Sequence, residues 1–275
     1  MISSTEQKLK LLTGHNPFTY GLGVRIVPSK TQDDSVTICC HGYGHCNEIV
    51  DIVGSFGVLP GYLIGFNFPD YGIRGDVDHA KSTFGSIQEI LPLLYLIKQC
   101  VCDVQVPVLN LYGFSAGGGA IINALVILNQ FQYQNELASI GITQENRKQI
   151  IDALERGLII LDCPLKSVDE CVATQGWAQG LILARQFSRN NMSPIEVLPQ
   201  LAGLKLNILL HFQNPDEILS NRDDELYVER LTKANGGKTT IEVSFDGGHN
   251  SYHAGLWDEY EKIKTGCFSC FPHHI

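Results

Sequence analysis

The pentapeptide Gly113-Phe114-Ser115-Ala116-Gly117 constrains this chain more than any other stretch. Before it, Val106 to Tyr112 is apolar and punctuated by Pro107 and Gly113, the pattern of a buried strand. After it, Ala120 to Leu128 is almost wholly apolar, the pattern of a buried helix. A backbone passing from buried strand to buried helix in so few residues turns sharply. Strand and helix collide there unless the positions two before and two after the turning residue are small, and Gly113 and Gly117 meet that need. G-x-S-x-G in this setting holds a serine in a strained conformation with its hydroxyl exposed. The free N–H groups of the following helix point at any negative charge that develops beside it. Ser115 is therefore a candidate nucleophile; the bland alternative is a polar residue at a glycine-rich helix entry.

The rest of the chain alternates between the two periods. Strands are predicted over Leu22–Val27, Val36–Cys40, Tyr62–Phe68, Leu158–Leu161, Leu206–Phe212 and Thr240–Phe245, with helices or loops between them. Short helices are predicted over Glu6–Leu12 and from an Asn47 cap to Ile52. Longer ones cover Phe84–Lys98, with Pro92 forcing a kink or a later start, and Thr143–Arg156, capped by Thr143 and stopped by Gly157. Gln130–Ile142 reads as loop, and helices are expected over Trp177–Phe187, Asp224–Asn235 and Ala254–Lys264. Strands alternating with helices imply an α/β fold: a mostly parallel sheet covered by helices on both faces, with ligands bound at the carboxyl ends of the strands. His41-Gly42-Tyr43, Ser115, Asp162, Asp216 and His249 each follow a predicted strand, so they fall at that one edge.

Composition narrows the class. The 275 residues are 44% hydrophobic and 18% charged, as in an ordinary globular protein. A formal net charge of −9, with no basic run, argues against a nucleic-acid partner. No apolar stretch reaches the roughly twenty residues of a transmembrane segment, and the N-terminus lacks the apolar core of a signal peptide. The nine cysteines, several in predicted strands, read as reduced thiols in a cytoplasmic compartment, although export without a cleaved signal gives the same pattern. One domain spans 1–275, with a candidate cap segment at 165–204 and a Cys/His-containing tail at 266–275.

A serine hydroxyl needs a base to take its proton, and histidine is the residue that titrates near neutral pH. His249 follows the last strand and Gly247-Gly248 and is the favoured base; His253 is the alternative. His211 lies within a strand and reads as structural, and His41 reads as holding the loop after Val36–Cys40. Two aspartates could orient the base, Asp216 and Asp162; Asp223 and Asp224 read as surface charge or a helix cap. In the tail, Cys267, Cys270, His273 and His274 have a spacing that could hold zinc or mark a lipidation site, against the simpler reading of a tail; no metal or other cofactor is expected.

With His41-Gly42-Tyr43-Gly44, the Gly113–Gly117 pentapeptide, Asp216 after a late strand and Gly248-His249 after the last, the chain resembles the α/β-hydrolase superfamily on its serine esterase/lipase side, from about Val36 to Lys264. The resemblance implies an acyl-enzyme on Ser115, His249 as base and Asp216 as the usual acid, with Asp162 at a minority position. It also implies an oxyanion hole from the backbone N–H groups of Ala116 and Tyr43, although Gly42 and Gly44 around Tyr43 alternatively make a simple tight turn. The substrate implied is a small-molecule carboxylic ester or thioester. An acyltransferase with the same triad, or a non-catalytic binding protein on a hydrolase fold, are the alternatives.

Overall fold

Arg25–Pro28 (β1), Val36–Cys40 (β2), Tyr62–Gly65 (β3), Leu109–Phe114 (β4), Ile159–Asp162 (β5), Ile208–Gln213 (β6) and Thr239–Ser244 (β7) form one sheet in the order β1-β3-β2-β4-β5-β6-β7. The computed structural model describes residues 9, 23–28, 33–68, 86–167, 170, 192–214, 216–219, 221–244 and 248–249. Strands β2 to β7 are mutually parallel, and β1 joins the edge antiparallel to β3. The central strands β2, β4, β5 and β6 are buried along their whole length. This is why their sequences run almost continuously apolar instead of alternating.

The pleat divides these apolar residues between two cores. Ile38, Leu109, Leu111, Ile159, Leu161, Ile208 and Leu210 face one core; Cys39, Leu63, Tyr112, Phe114, Ile160 and Leu209 face the other. The first core is closed by helices Ile87–Lys98, Ala116–Asn129, Gln144–Arg156 and Asp224–Ala234. Ile49–Phe56 packs into the second through Ile49, Val50 and Val53. The helix Ala116–Asn129 is buried along nearly all of its length, so its apolar residues circle it instead of forming a stripe.

The expected alternation of strand and helix is present, and several boundaries differ for identifiable reasons. Strand β4 begins at Leu109, not Val106, because helix Ile87–Lys98 runs on into a wider turn over Gln99–Asp103. The Val106 N–H donates to the Cys100 carbonyl at 3.0 Å, which ties Val106 to that turn. Helix Ile87–Lys98 starts late, capped by Ser86, and keeps Pro92 inside. Asn47 is not a cap: its N–H donates to Asn67 Oδ1 at 2.7 Å, its side chain reaches the Gly23 carbonyl, and the helix starts at Ile49. Gln130–Ile142 is not plain loop but holds a short helix, Gln134–Ser139, because Leu137, Ile140 and Ile142 are buried. Thr143 caps Gln144–Arg156 with Asn146 as its reciprocal partner. The helices expected over Glu6–Leu12, Trp177–Phe187 and Ala254–Lys264, and the tail cysteines, lie outside the described residues, apart from Leu9.

The buried helix begins at Ala116, directly after Ser115, so Gly117, Gly118 and Gly119 form its first turn. A Cβ on Gly117 would lie 2.2 Å from the Cys40 carbonyl oxygen, and one on Gly118 would lie 2.8 Å from Pro164 Cβ. The glycine run lets this turn press on the ends of two strands. Gly117→Ala is expected to destabilise the fold by about 1–3 kcal/mol or more, since backbone must move to admit one methyl group. Urea denaturation of the variant against the parent protein checks this.

Candidate active site

Ser115 caps the buried helix with φ 51° and ψ −117°, a conformation that L-residues adopt at a cost of about 1–3 kcal/mol. Neighbouring backbone holds it there. Its N–H donates to the Asp162 carbonyl at 2.9 Å, and its carbonyl accepts from Gly118 N–H at 3.0 Å and Leu165 N–H at 2.9 Å. The loop after β2 lies against it: a Cβ on Gly42 would meet Ser115 Cβ at 3.3 Å and the Phe114 ring at 2.9 Å. That loop turns tightly, with His45 N–H donating to the Gly42 carbonyl at 3.1 Å and Gly44 at φ 76°. Tyr43 sits at the exposed tip of the turn.

His41 fixes the base of this loop. Its Nδ1 lies 2.8 Å from the Gly42 carbonyl, and Phe68 N–H donates to its Nε2 at 3.2 Å. These two partners require a neutral ring that carries its proton on Nδ1. Burial agrees, lowering the imidazole to about 4 against the backbone bond to Gly42, which raises it.

At the other side of the same strand edge, Asp216 and His249 meet. His249 Nδ1 lies 2.7 Å from Asp216 Oδ2, and both side chains are almost fully buried. Asp216 is held in aim by its other oxygen, which accepts Ile218 N–H at 2.8 Å and Leu219 N–H at 2.7 Å. The His249 ring packs 5.1 Å from that of Phe114, the residue before Ser115. Its Nε2 is buried and has no hydrogen-bond partner among the described residues. His45 also flanks Phe114, with ring centroids 5.7 Å apart; burial first, and the proximity of His249 second, lower its imidazole.

Two residues that the sequence reading did not single out, Glu217 and Asn221, support this pair. Glu217 Oε2 accepts the His249 N–H at 2.9 Å, and its carboxylate fills the space where a side chain at Gly248 would go. Consecutive carboxylates thus hold the ring and the backbone of one histidine. Asn221 braces the turn: its Oδ1 accepts Asp216 N–H at 3.3 Å, and its Nδ2 donates to the Gln213 carbonyl at 2.7 Å and to Asp224 Oδ2 at 2.8 Å. Asp224 is not surface charge; it pairs with the buried Lys166, whose other partner, Glu170, lies 2.5 Å away. Asp223 has the position of the cap but makes no capping bond, and pairs with Arg222 instead. The Glu217–His249 and Lys166–Asp224 contacts join segments distant in the chain, so spacing gives no sign of them.

Asp162 belongs to a second, wholly buried pair. Its Oδ1 faces His211 Nδ1 at 2.7 Å, and its Oδ2 accepts the Tyr112 hydroxyl at 2.7 Å. Between the two Asp–His pairs sits Cys163, at φ 46°. His253 lies outside the described residues.

Solved structures share this arrangement of sheet and helices. A carboxylesterase from Lactobacillus plantarum WCFS1, Cest-2923, superposes with a TM-score of 0.61 at 14% identity, covering 90% of this chain and 93% of that one. Esterase 2 of Thermogutta terrifontis gives 0.58 at 13% identity, with 90% of each chain covered. Brefeldin A esterase, a bacterial homologue of human hormone-sensitive lipase, gives 0.57 at 11% identity over 89% of this chain and 71% of that one. This chain has the α/β-hydrolase fold. No protein-family model matches it, and no curated protein matches its sequence.

On this α/β-hydrolase sheet the candidate residues gather at the carboxyl edge, where such sheets bind ligands. Two groups there offer metal-type donors: Asp162, Cys163 and His211, and Cys163, Asp216 and His249. Among the described residues no helix is long and apolar enough to cross a membrane.

The two bonds of His41 make its neutral form part of the fold. Because its folded imidazole is lowered from 6.5 to about 4, its contribution is complete above pH 6.5 and is lost as pH falls toward 4. The loss amounts to up to about 3 kcal/mol at 1.36 kcal/mol per unit. Denaturation of the parent and of His41→Asn at pH 7.5 and pH 4.5 tests this: the acid-induced drop in stability is expected to be smaller in the variant. An equal drop in both would remove His41 as its source.

Proposed function

We propose that the protein is a serine-dependent hydrolase of carboxylic esters or thioesters, with Ser115, His249 and Asp216 as its triad. The observation that carries the reading is the Asp216–His249 contact at 2.7 Å, on the same strand edge as a serine held at φ 51°. The esterases that share the fold support it at the level of reaction class. Asp216 accepts a hydrogen bond from the Nδ1–H of the imidazole, which leaves Nε2 as the lone-pair face, and that nitrogen has no protein partner among the described residues.

Ser115 Oγ attacks the acyl carbon as Nε2 takes its proton, and the new C–O bond gives a tetrahedral oxyanion. The N–H groups of Ala116, at the first position of the buried helix, and of Tyr43, in the turn beside Ser115, are the proposed donors to that oxyanion. Collapse breaks the bond to the leaving alcohol or thiol, which receives the proton from Nε2. Water repeats the sequence on the acyl-enzyme and releases the acid. Asp162 takes no part in this scheme, because its two oxygens are engaged by His211 and Tyr112. Its role is to hold the strand ends together.

A fluorophosphonate probe is expected to label the parent protein on Ser115. Ser115→Ala should lose labelling and about 10⁵–10⁶-fold of its ester hydrolysis with the fold intact. Retention of a large share of either would remove Ser115 as nucleophile.

The two aspartates separate by turnover. Asp216→Asn should lose about 10⁴ in kcat, since a neutral amide neither holds the tautomer nor stabilises an imidazolium. Asp162→Asn should keep most of its kcat and show its effect in thermal stability. The opposite ranking would move the acid to Asp162.

A further inference from the structure

We propose that Cys163, Asp216 and His249 form an inhibitory site for a thiophilic divalent cation of the zinc or cadmium class, whose binding disables the base assigned under the proposed function. The inhibitory consequence rests on that assignment; the site itself rests on the donors.

The sulfur of Cys163, a carboxylate oxygen of Asp216 and a ring nitrogen of His249 all lie within 4.8 Å of one another. A tetrahedral zinc, with bonds of about 2.3 Å to sulfur and 2.0 Å to nitrogen and oxygen, places such atoms roughly 3.3–3.5 Å apart. The closure needed is therefore at most about 1.5 Å. Thiolate, imidazole and carboxylate together favour zinc-like cations over magnesium or calcium, which prefer all-oxygen shells.

The donors are already held from outside. Cys163 is fixed at φ 46° by its N–H, which donates to the His211 carbonyl at 2.9 Å. Asp216 is oriented by the N–H groups of Ile218 and Leu219, and His249 by Glu217. Support of this kind sets ligand orientation in metal sites. The neighbouring group of Asp162, Cys163 and His211 shares the same thiol but is the poorer site. All three of its residues are buried, whereas Asp216 in the other group is only partly so.

The proton balance gives the mechanism of inhibition. The cation replaces the thiol proton of Cys163, which leaves to solvent, and takes the lone pair of His249 Nδ1. The ring proton moves from Nδ1 to Nε2 through water, so the ring stays neutral in the other tautomer. Nε2 then carries a proton and cannot accept one from Ser115. Because Cys163 and His249 are 2% and 3% exposed, inhibition should set in slowly.

Cadmium is the probe, added to the full chain. X-ray absorption of the bound ion in the parent protein should report one sulfur neighbour with nitrogen and oxygen making up the rest. Cadmium should also slow fluorophosphonate labelling. In Cys163→Gly, which suits the backbone conformation, and in Cys163→Ser, the cadmium needed to block labelling should rise by about 10–100-fold or more, while metal-free labelling persists. In a variant with Cys267 and Cys270 both changed to serine it should not move. Two or more sulfur neighbours, sensitivity that follows Cys267 and Cys270, or unchanged sensitivity in both Cys163 variants would overturn the site. A one-sulfur ion that leaves labelling untouched would overturn the inhibition. If the metal-free parent protein is not labelled at all, the proposed function fails, and the absorption result alone judges the site.

Discussion

The close approach of Gly117 to the Cys40 carbonyl is the contact on which the carboxyl edge of the sheet depends. A helix can begin within one residue of a central strand only if its first turn slides under the neighbouring strand end, and here no side chain intervenes. This approach brings the helix N-terminus to the serine and leaves Ser115 in a conformation that its own side chain disfavours. It also sets Gly42 beside Ser115. The strain at one residue is balanced by hydrogen bonds from backbone on both sides, so it belongs to the sheet as a whole and not to the serine.

At the same edge, Asp216 and His249 are each held by more than one partner. Asp216 is gripped by two backbone amides and braced through Asn221, and His249 is held through both its ring and its main chain. Behind them run Tyr112, Asp162 and His211, one from each of three adjacent strands. Satisfied networks of this kind rigidify their surroundings. The Lys166–Glu170–Asp224 cluster is a different case. Burial pushes the Glu170 carboxyl up to about 7 against the opposing pull of Lys166, the sign of a charge held at a cost. Such clusters add little net stability compared with apolar residues of the same size, but losing one member leaves the others stranded.

Much of this was legible in the sequence, because the relevant signals are local. Burial on both faces writes apolar runs into β2, β4, β5 and β6, and a tight strand-to-helix turn writes glycines at fixed spacing around Ser115. Thr143 and Gly157 mark their helix because capping acts within a few residues. What sequence could not give is pairing across the sheet. Asp162 and Asp216 are equivalent as text: each follows a strand at the same edge. Only the register that sets Asp162 opposite His211, and the turn that aims Asp216 at His249, separates them. Glu217 was missed for the same reason, its partner lying 32 residues on, and the extension of helix Ile87–Lys98 into a wider turn displaced the predicted start of β4.

Ser115 owes its geometry to partners on strands far apart in the chain, above all the Asp162 carbonyl and the loop after Cys40. Contacts of that separation form late in folding, because each closes a long loop before it is rewarded. The turn at Ser115 is thus a product of the completed sheet and not a seed for it. During refolding, helical signal should return before the turn at Ser115 closes, and the interval between the two measures how long the central strands take to find their neighbours.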